Sequence, residues 1–222
     1  PSGKKYAMQP TPSNEVYIAP YDAKNIYMVQ FHNENRPWNV DEAPVKAVFN
    51  EYFGGSMNGI VFQELREARG LAYSASAYYR EPWRKTEPES FYTYIISQND
   101  KMGDCINVFN NIVDTIPQSQ AAFDIARQSI TKKLQSQRTL RENVLYAYYF
   151  AKQRGIDYDI DEKIYNALPS LTMNDIVKFE QLNMAHKPYR YIILGDEKQL
   201  DMKLLEKIGP VKRLTTEEIF GY

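Results

Sequence analysis

A chain of 222 residues, 43% hydrophobic and 25% charged with a formal net charge of -1, is long enough to bury a real core, and its composition argues against disorder. The near-neutral balance withholds the concentrated positive field that phosphates require, so no nucleic-acid partner is expected. No stretch approaches the roughly 20 apolar residues of a membrane span, and the single cysteine, Cys105, excludes an internal disulfide or a thiolate metal cluster.

Residues 1–14 carry Pro1, Pro10 and Pro12 among polar neighbours and read as an extended linker ahead of one domain covering 15–222. "PSGKKYAMQP" has neither a starting methionine nor the apolar core of a secretion signal, so a piece of a longer protein is expected and the compartment stays open. "NEVYIAPYDAKNIYMVQF" gives two apolar runs, Val16 to Ile18 and Ile26 to Phe31, around a turn-like segment; a hairpin or paired strands is predicted. From Pro44 the period lengthens. Val45, Val48, Phe49, Tyr52 and Phe53 share one helical stripe, which Gly54 and Gly55 are expected to end. Ser56 or Asn58 is expected to cap a second helix that runs to about Arg69 and stops at Gly70.

"LAYSASAYY" and "SFYTYIISQ" alternate with period two and read as adjacent strands joined by "REPWRKTEPE". Helices follow. "KMGDCINVFNNIVDTI" is amphipathic, and Pro117 and Ser119 introduce another helix with Phe123, Ala126, Ile130 and Leu134 on one side. "RENVLYAYYFAKQRG" comes next, then a capping box of Thr172 and Asp175, the strand "YRYIILGD" and a last helix near "QLDMKLLEKIG". This order predicts an α+β fold, a mostly antiparallel sheet covered by several helices. Tyrosine, 18 of 222 residues, suits exposed sheet faces and interfaces, so a chain that docks against something is expected.

Most candidate chemistry has a plain structural reading. His32 in "FHNENR" and His186 in "MAHKPY" belong to no ligand-spaced cluster, and neither H-E-x-x-H nor H-x-x-E-H occurs. A catalytic zinc needs three protein ligands, so no metal site is assigned to this chain. "DYDID" opens like a calcium loop but has Glu162 where the turn glycine belongs and Leu168 in place of the closing glutamate; a solvated turn with Asp161 capping a helix is expected. "FGGSMNG" lacks the lysine of a phosphate loop. Lys132, Lys133, Arg138 and Arg141 have acids nearby and read as a solvated face, Cys105 reads as a buried inert thiol, and no G-x-S-x-G elbow is present.

"FQELREARGLAYSASAYY" is different. Arg66 lies about one helical turn before Gly70 and Tyr73 three residues beyond it, so both fall within roughly 6 to 10 Å of one corner. Spacing alone leaves two accounts: a convergent pair of donors, or an arginine complementing the negative helix end beside a tyrosine that packs in the sheet.

The longer stretch "YFGGSMNGIVFQELREARGLAYSASA" resembles the carboxy-terminal half-domain of the pitrilysin and insulysin (insulinase) zinc metallopeptidases, which include mitochondrial processing peptidase. The similarity is strongest over residues 49–77 and continues more loosely through "FYTYIISQ", the long helices and "YIILGD". It implies a protein built from pairs of homologous α+β domains, in which an amino-terminal domain holds zinc on an H-x-x-E-H helix and a further glutamate. It also implies a chamber in which a peptide is held as an added strand. The non-zinc domain supplies an arginine and a tyrosine, seven residues apart, to the substrate carbonyl; matched residue by residue, these fall on Arg66 and Tyr73. Zinc would then belong to another domain of the full protein, and the partners would be a zinc-bearing homologous domain, of the same chain or another subunit, and a peptide substrate. The isolated chain is expected to be inactive. The alternative implied is a non-catalytic structural or peptide-binding module of the same fold; an RNA-binding α+β domain has only the aromatic strands in its favour.

Overall fold

The computed structural model describes residues 7–138 and 140–221. Alternating burial builds the sheet strands β1 (Glu15–Pro20), β2 (Asn25–His32), β3 (Ala72–Arg80), β4 (Ser90–Gln98) and β5 (Arg190–Gly195), joined by the short β6 (Val211–Arg213). Their order is β3-β4-β2-β5-β1-β6. The β3–β4, β4–β2 and β2–β5 pairs are antiparallel, whereas β1 runs parallel to both β5 and β6. The helices are α1 (Ala43–Phe53), α2 (Ile60–Phe62), α3 (Met102–Asp114), α4 (Gln120–Ser136), α5 (Arg141–Arg154), α6 (Ile160–Ala167), α7 (Met173–Asn183), α8 (Met202–Ile208) and α9 (Thr216–Phe220). The result is the α+β arrangement that the order of elements predicts. Among the described residues no helix is long and apolar enough to cross a membrane.

The expected pairing of the first two strands is overturned. β1 and β2 do not pair, because β5 lies between them, with Val16 opposite Tyr191 on one side and Ile193 opposite Met28 on the other. Alternation reports which face of a strand is buried and says nothing of its neighbour; here a strand from far along the chain takes the central place. The described residues that precede β1, from 7 onward, are tied to the body. Thr11 is buried, its N–H donates to Asn33 O at 2.8 Å, and Pro10 O accepts from the Arg190 guanidinium.

The core sits on one face of the sheet. Val16, Ile18, Ile26, Met28, Phe91, Ile95 and Ile193 meet Phe49 and Phe53 of α1, Phe109 of α3 and Phe179 of α7. The Phe49 and Phe53 rings stack at 5.1 Å, and Phe179 approaches Phe49 at 5.3 Å. Burying one such ring stabilises by roughly 1.5 to 3 kcal/mol. The opposite face, with Tyr17, Tyr27, Tyr94 and Ile192, remains partly open.

Helix α1 also carries a buried charge that its apolar stripe does not announce. Lys46, 1% exposed, meets Glu89, also 1% exposed, and donates to Asn39 O at 3.2 Å. Glu89 further accepts from Arg36 at 3.0 Å, the Tyr79 hydroxyl at 3.1 Å and the Asn39 N–H at 3.3 Å. Each charge is compensated, and deleting one partner strands the others without water. Glu89→Ala is expected to lower unfolding free energy by about 3 to 5 kcal/mol in urea titration, and an unchanged midpoint would contradict this account.

Glu180 on α7 is the opposite case. It is buried, and neither carboxyl oxygen has a hydrogen-bond partner. Burial, with a smaller push from Asp114, raises its pKa from 4.5 to about 7. A raised folded-state value means the proton is held more tightly folded than unfolded, so the contribution is full below pH 4.5 and is lost as pH climbs through about 7. Glu180→Gln is expected to flatten that loss, leaving the variant about 2 to 3 kcal/mol more stable than the parent above pH 7. Parallel pH-stability curves for the two proteins would show that the carboxyl titrates normally.

Candidate functional site

The corner joining α2 to β3 departs from regular geometry twice, and each departure sets one of the two side chains singled out by the sequence. Helix α2 starts at Ile60 with Gly59 at its cap, rather than at Ser56 or Asn58. After one α-helical turn it widens into a π-helical segment, Gln63–Glu67, in which Ala68 N–H reaches back to Gln63 O at 2.8 Å. Ile60, Val61 and Leu65 are the buried positions. A turn of this kind within a helix recurs at functional sites. The helix closes on Gly70 in the left-handed region (φ +57°), whose N–H bonds Arg66 O at 2.9 Å. A residue with a Cβ is disfavoured there.

In β3 the odd positions Ala75, Ala77 and Tyr79 face the core. Strict alternation would send Tyr73 inward with them. The register slips between Ala72 and Ser74 instead, with Ala72 opposite Ser97 and Ser74 opposite Ile96, leaving Tyr73 as the extra residue of a bulge. A bulge changes the phase of a strand and re-aims a side chain. Ala72 therefore takes the buried place, and Tyr73 stands 75% exposed.

These two irregularities bring the pair together. The Arg66 Cζ lies 5.7 Å from the Tyr73 ring centroid and 4.9 Å from the Phe62 ring one helical turn earlier. Contacts of this kind are worth about 0.5 to 1 kcal/mol at exposed sites, enough to bias a long side chain without fixing it. Glu67 Oε1 is 3.7 Å from Arg66 Nε, with both side chains about half exposed, so this pair contributes little. The guanidinium and the Tyr73 ring thus lie together on one outer corner.

Other candidates fall into structural places. His32 is buried, and its Nδ1–H donates to Pro188 O at 2.7 Å; burial holds its pKa below the ordinary value. His186 is exposed beside Asp114, whose carboxylate accepts the His186 backbone N–H at 2.7 Å. Cys105 is buried with its thiol toward Ser97 Oγ at 3.4 Å, and burial pushes the thiol pKa up. Asp159 rather than Asp161 caps α6, by accepting the Asp161 N–H. Lys132, Lys133 and Arg138 are exposed on and just after α4, and Arg141 opens α5. Among the described residues no three histidine, cysteine or acidic side chains are placed to hold a metal ion, so those residues do not fit a zinc site of their own. Grooves of about 580 and 640 Å³ open near the ends of β1 and β5, and Arg66 and Tyr73 line neither. No sequence pattern flags the π-helical turn or the bulge, since both are properties of backbone register.

Comparison with known proteins adds the family. No curated protein matches the chain. It is similar in fold to a peptidase M16 inactive domain from Pseudomonas fluorescens at 13% identity and a TM-score of 0.67, covering 88% of this chain and 46% of that one. It is similar to a conserved protein from Enterococcus faecalis at 13% identity and 0.69, covering 90% and 46%, and to a protease from Helicobacter pylori at 12% identity and 0.66, covering 86% and 47%. The chain thus spans about half the length of these structures. A family model described as the peptidase M16 inactive domain matches residues 1–130, more than half of the chain and inclusive of the corner just described. With sequence model and fold in agreement, the chain belongs to the peptidase M16 inactive-domain family.

Proposed function

We propose that this domain is the half without metal in a zinc metalloendopeptidase, and that Arg66 and Tyr73 present hydrogen-bond donors to the carbonyl oxygen of a peptide bond cleaved at a centre owned by a second domain. The observation that carries this reading is the pairing itself. Two long donor side chains from a π-helical turn and a bulged strand lie 5.7 Å apart, both open to solvent. Tyr73 is a large ring exposed where plain alternation would bury it, a placement that packing does not require.

The chemistry follows from charge. When a peptide carbonyl is attacked, negative charge grows on its oxygen, and donors already aimed at that oxygen bind the transition state better than the substrate. A guanidinium supplies several N–H donors in a planar fork and a phenol supplies one O–H. Phe62 and Tyr73 flank the guanidinium, which lessens the ordering left to be done when substrate arrives. The zinc implied by the family would belong to the second domain.

The test is turnover of the protein assembled with its second, zinc-bearing domain. Tyr73→Phe keeps the ring and removes the donor, and is expected to lower kcat/KM on a peptide substrate about 100-fold, as for a lost oxyanion donor. Arg66→Met is expected to do the same. Unchanged turnover in either variant removes that residue from the site. A second reading, a non-catalytic structural or peptide-binding module of the same fold, is favoured by the partly open tyrosine-bearing sheet face. Peptide binding without any turnover in the assembled protein would select it.

A further inference from the structure

Strand β4 turns Phe91, Thr93, Ile95 and Ser97 to the buried side. Two of these carry hydroxyls, and a hydroxyl taken out of water costs free energy unless it finds a partner. Thr93 Oγ1 finds one inside the sheet, where it accepts the Gln30 N–H at 3.1 Å. Ser97 reaches beyond the sheet. It is 2% exposed and stands opposite Ala72, where the β3 register slips, and its Oγ–H donates to Leu71 O at 2.5 Å. Leu71 N–H in turn donates to Leu65 O at 2.8 Å. Leu71 is thus tied to the π-helical segment through its N–H and to β4 through its carbonyl. Two further donors close on the same spot: Cys105 Sγ lies 3.6 Å from the Leu71 oxygen and 3.4 Å from Ser97 Oγ, and Lys101 Nζ donates to Gly70 O at 3.3 Å. A thiol is a weak donor with one proton, and the lysine bond is exposed. The short, buried bond from Ser97 is therefore the main hold on Leu71.

We propose that Ser97 is the positioning residue of this corner: its hydroxyl, through the Leu71 carbonyl, holds the bulge that turns Tyr73 outward beside Arg66. The residues joined by this relay are the immediate neighbours of the pair, Leu65 next to Arg66 and Leu71 two places before Tyr73. The strand is where such a hold is needed. Ala75, Ala77 and Tyr79 face the core, and the same alternation would carry Tyr73 inward with them. The contact between the Tyr73 ring and Arg66 is of the weak, exposed kind and does not prevent this. With Leu71 O bound to Ser97, Ala72 takes the inward place and Tyr73 the outward one. Ser97 is itself buried, so it acts on a peptide substrate only through the backbone it holds. For its effect on turnover the inference rests on the reading of Arg66 and Tyr73 as substrate donors; for its effect on Tyr73 it rests on the bulge alone.

The experiment makes Ser97→Ala in the protein assembled with its zinc-bearing domain and reads position 73 by fluorine NMR, with 3-fluorotyrosine placed there. The fluorine line is expected to shift or split, and Ser97→Thr, which keeps a hydroxyl, to restore the parental line. On a peptide substrate Ser97→Ala is expected to lower kcat about 10-fold with KM within about twofold of the parent. In a Tyr73→Phe background the same change is expected to cost nothing further, because two substitutions that act through one group do not add. An unmoved fluorine line in Ser97→Ala would overturn the proposal, as would a Ser97→Thr protein that behaves like Ser97→Ala. A full additional loss on top of Tyr73→Phe would also overturn it, since that marks a general loosening of the fold. The two readings fail separately. A silent Tyr73→Phe would remove the catalytic reading and leave the fluorine line to decide the placement, whereas a slowed Tyr73→Phe beside an unmoved line and parental turnover in Ser97→Ala would remove Ser97 alone.

Discussion

No side chain fits at position 54, and much of the domain is arranged around that exclusion. A Cβ on Gly54 would meet the Ala77 backbone nitrogen at 2.4 Å and its oxygen at 2.5 Å. The two backbones approach so closely that Ala77 N–H bonds Gly54 O, while two residues along β3 the Asn50 side chain both accepts from Tyr79 N–H and donates to Tyr79 O. Helix α1 is thereby stitched to the strand by main chain and amide, not by packing alone. The chain leaving α1 returns to that same strand through α2, so the corner at Gly70 is built between fixed ends. A π-helical turn lies on one side of it and a bulge on the other. Leu65 and Ala72 are buried at those irregular turns, and Arg66 and Tyr73 are the exposed residues beside them.

Two buried carboxylates show how the same solvent penalty is met in different ways. Glu89 is surrounded by donors from α1, β3 and the loop before α1; the cluster ties three elements whose apolar contacts alone would tolerate sliding. Glu180 has no such partners, and for it the inexpensive state is the neutral one. The first arrangement gives definition to the fold through its hydrogen bonds. The second makes the packing of α7 sensitive to protons near neutrality.

Legibility in the sequence followed the range of the forces involved. Local signals were plain. The stripe of Val48, Phe49, Tyr52 and Phe53, the Ser119 cap, the Thr172–Asp175 box and the β3–β4 pair all stand where short-range pattern places them. Long-range choices were not. The insertion of β5 between β1 and β2 depends on residues some 170 positions apart, and β6, three residues of which two are basic, carries no apolar alternation to detect. At the corner, the spacing of Arg66 and Tyr73 was visible, but the phase shift that exposes Tyr73 was not, because alternation counted back from Tyr79 sends it to the core. Lys46 was concealed for a related reason: a lysine inside an apolar helix stripe is ordinarily a solvated neighbour, and its partner Glu89 lies 43 residues away.

The stitching by Asn50 has a further effect, at the margin of the sheet. An outermost strand with unsatisfied main-chain groups is a template on which other chains polymerise. Along β3 that template is interrupted, since Ala77 and Tyr79 are already engaged by Gly54 and Asn50. The other margin, β6, is only three residues long and bears Lys212 and Arg213. Both borders are thus poor seeds for fibre growth, which suits a polypeptide whose large aromatic faces must stay available without inviting indiscriminate sheet-to-sheet aggregation.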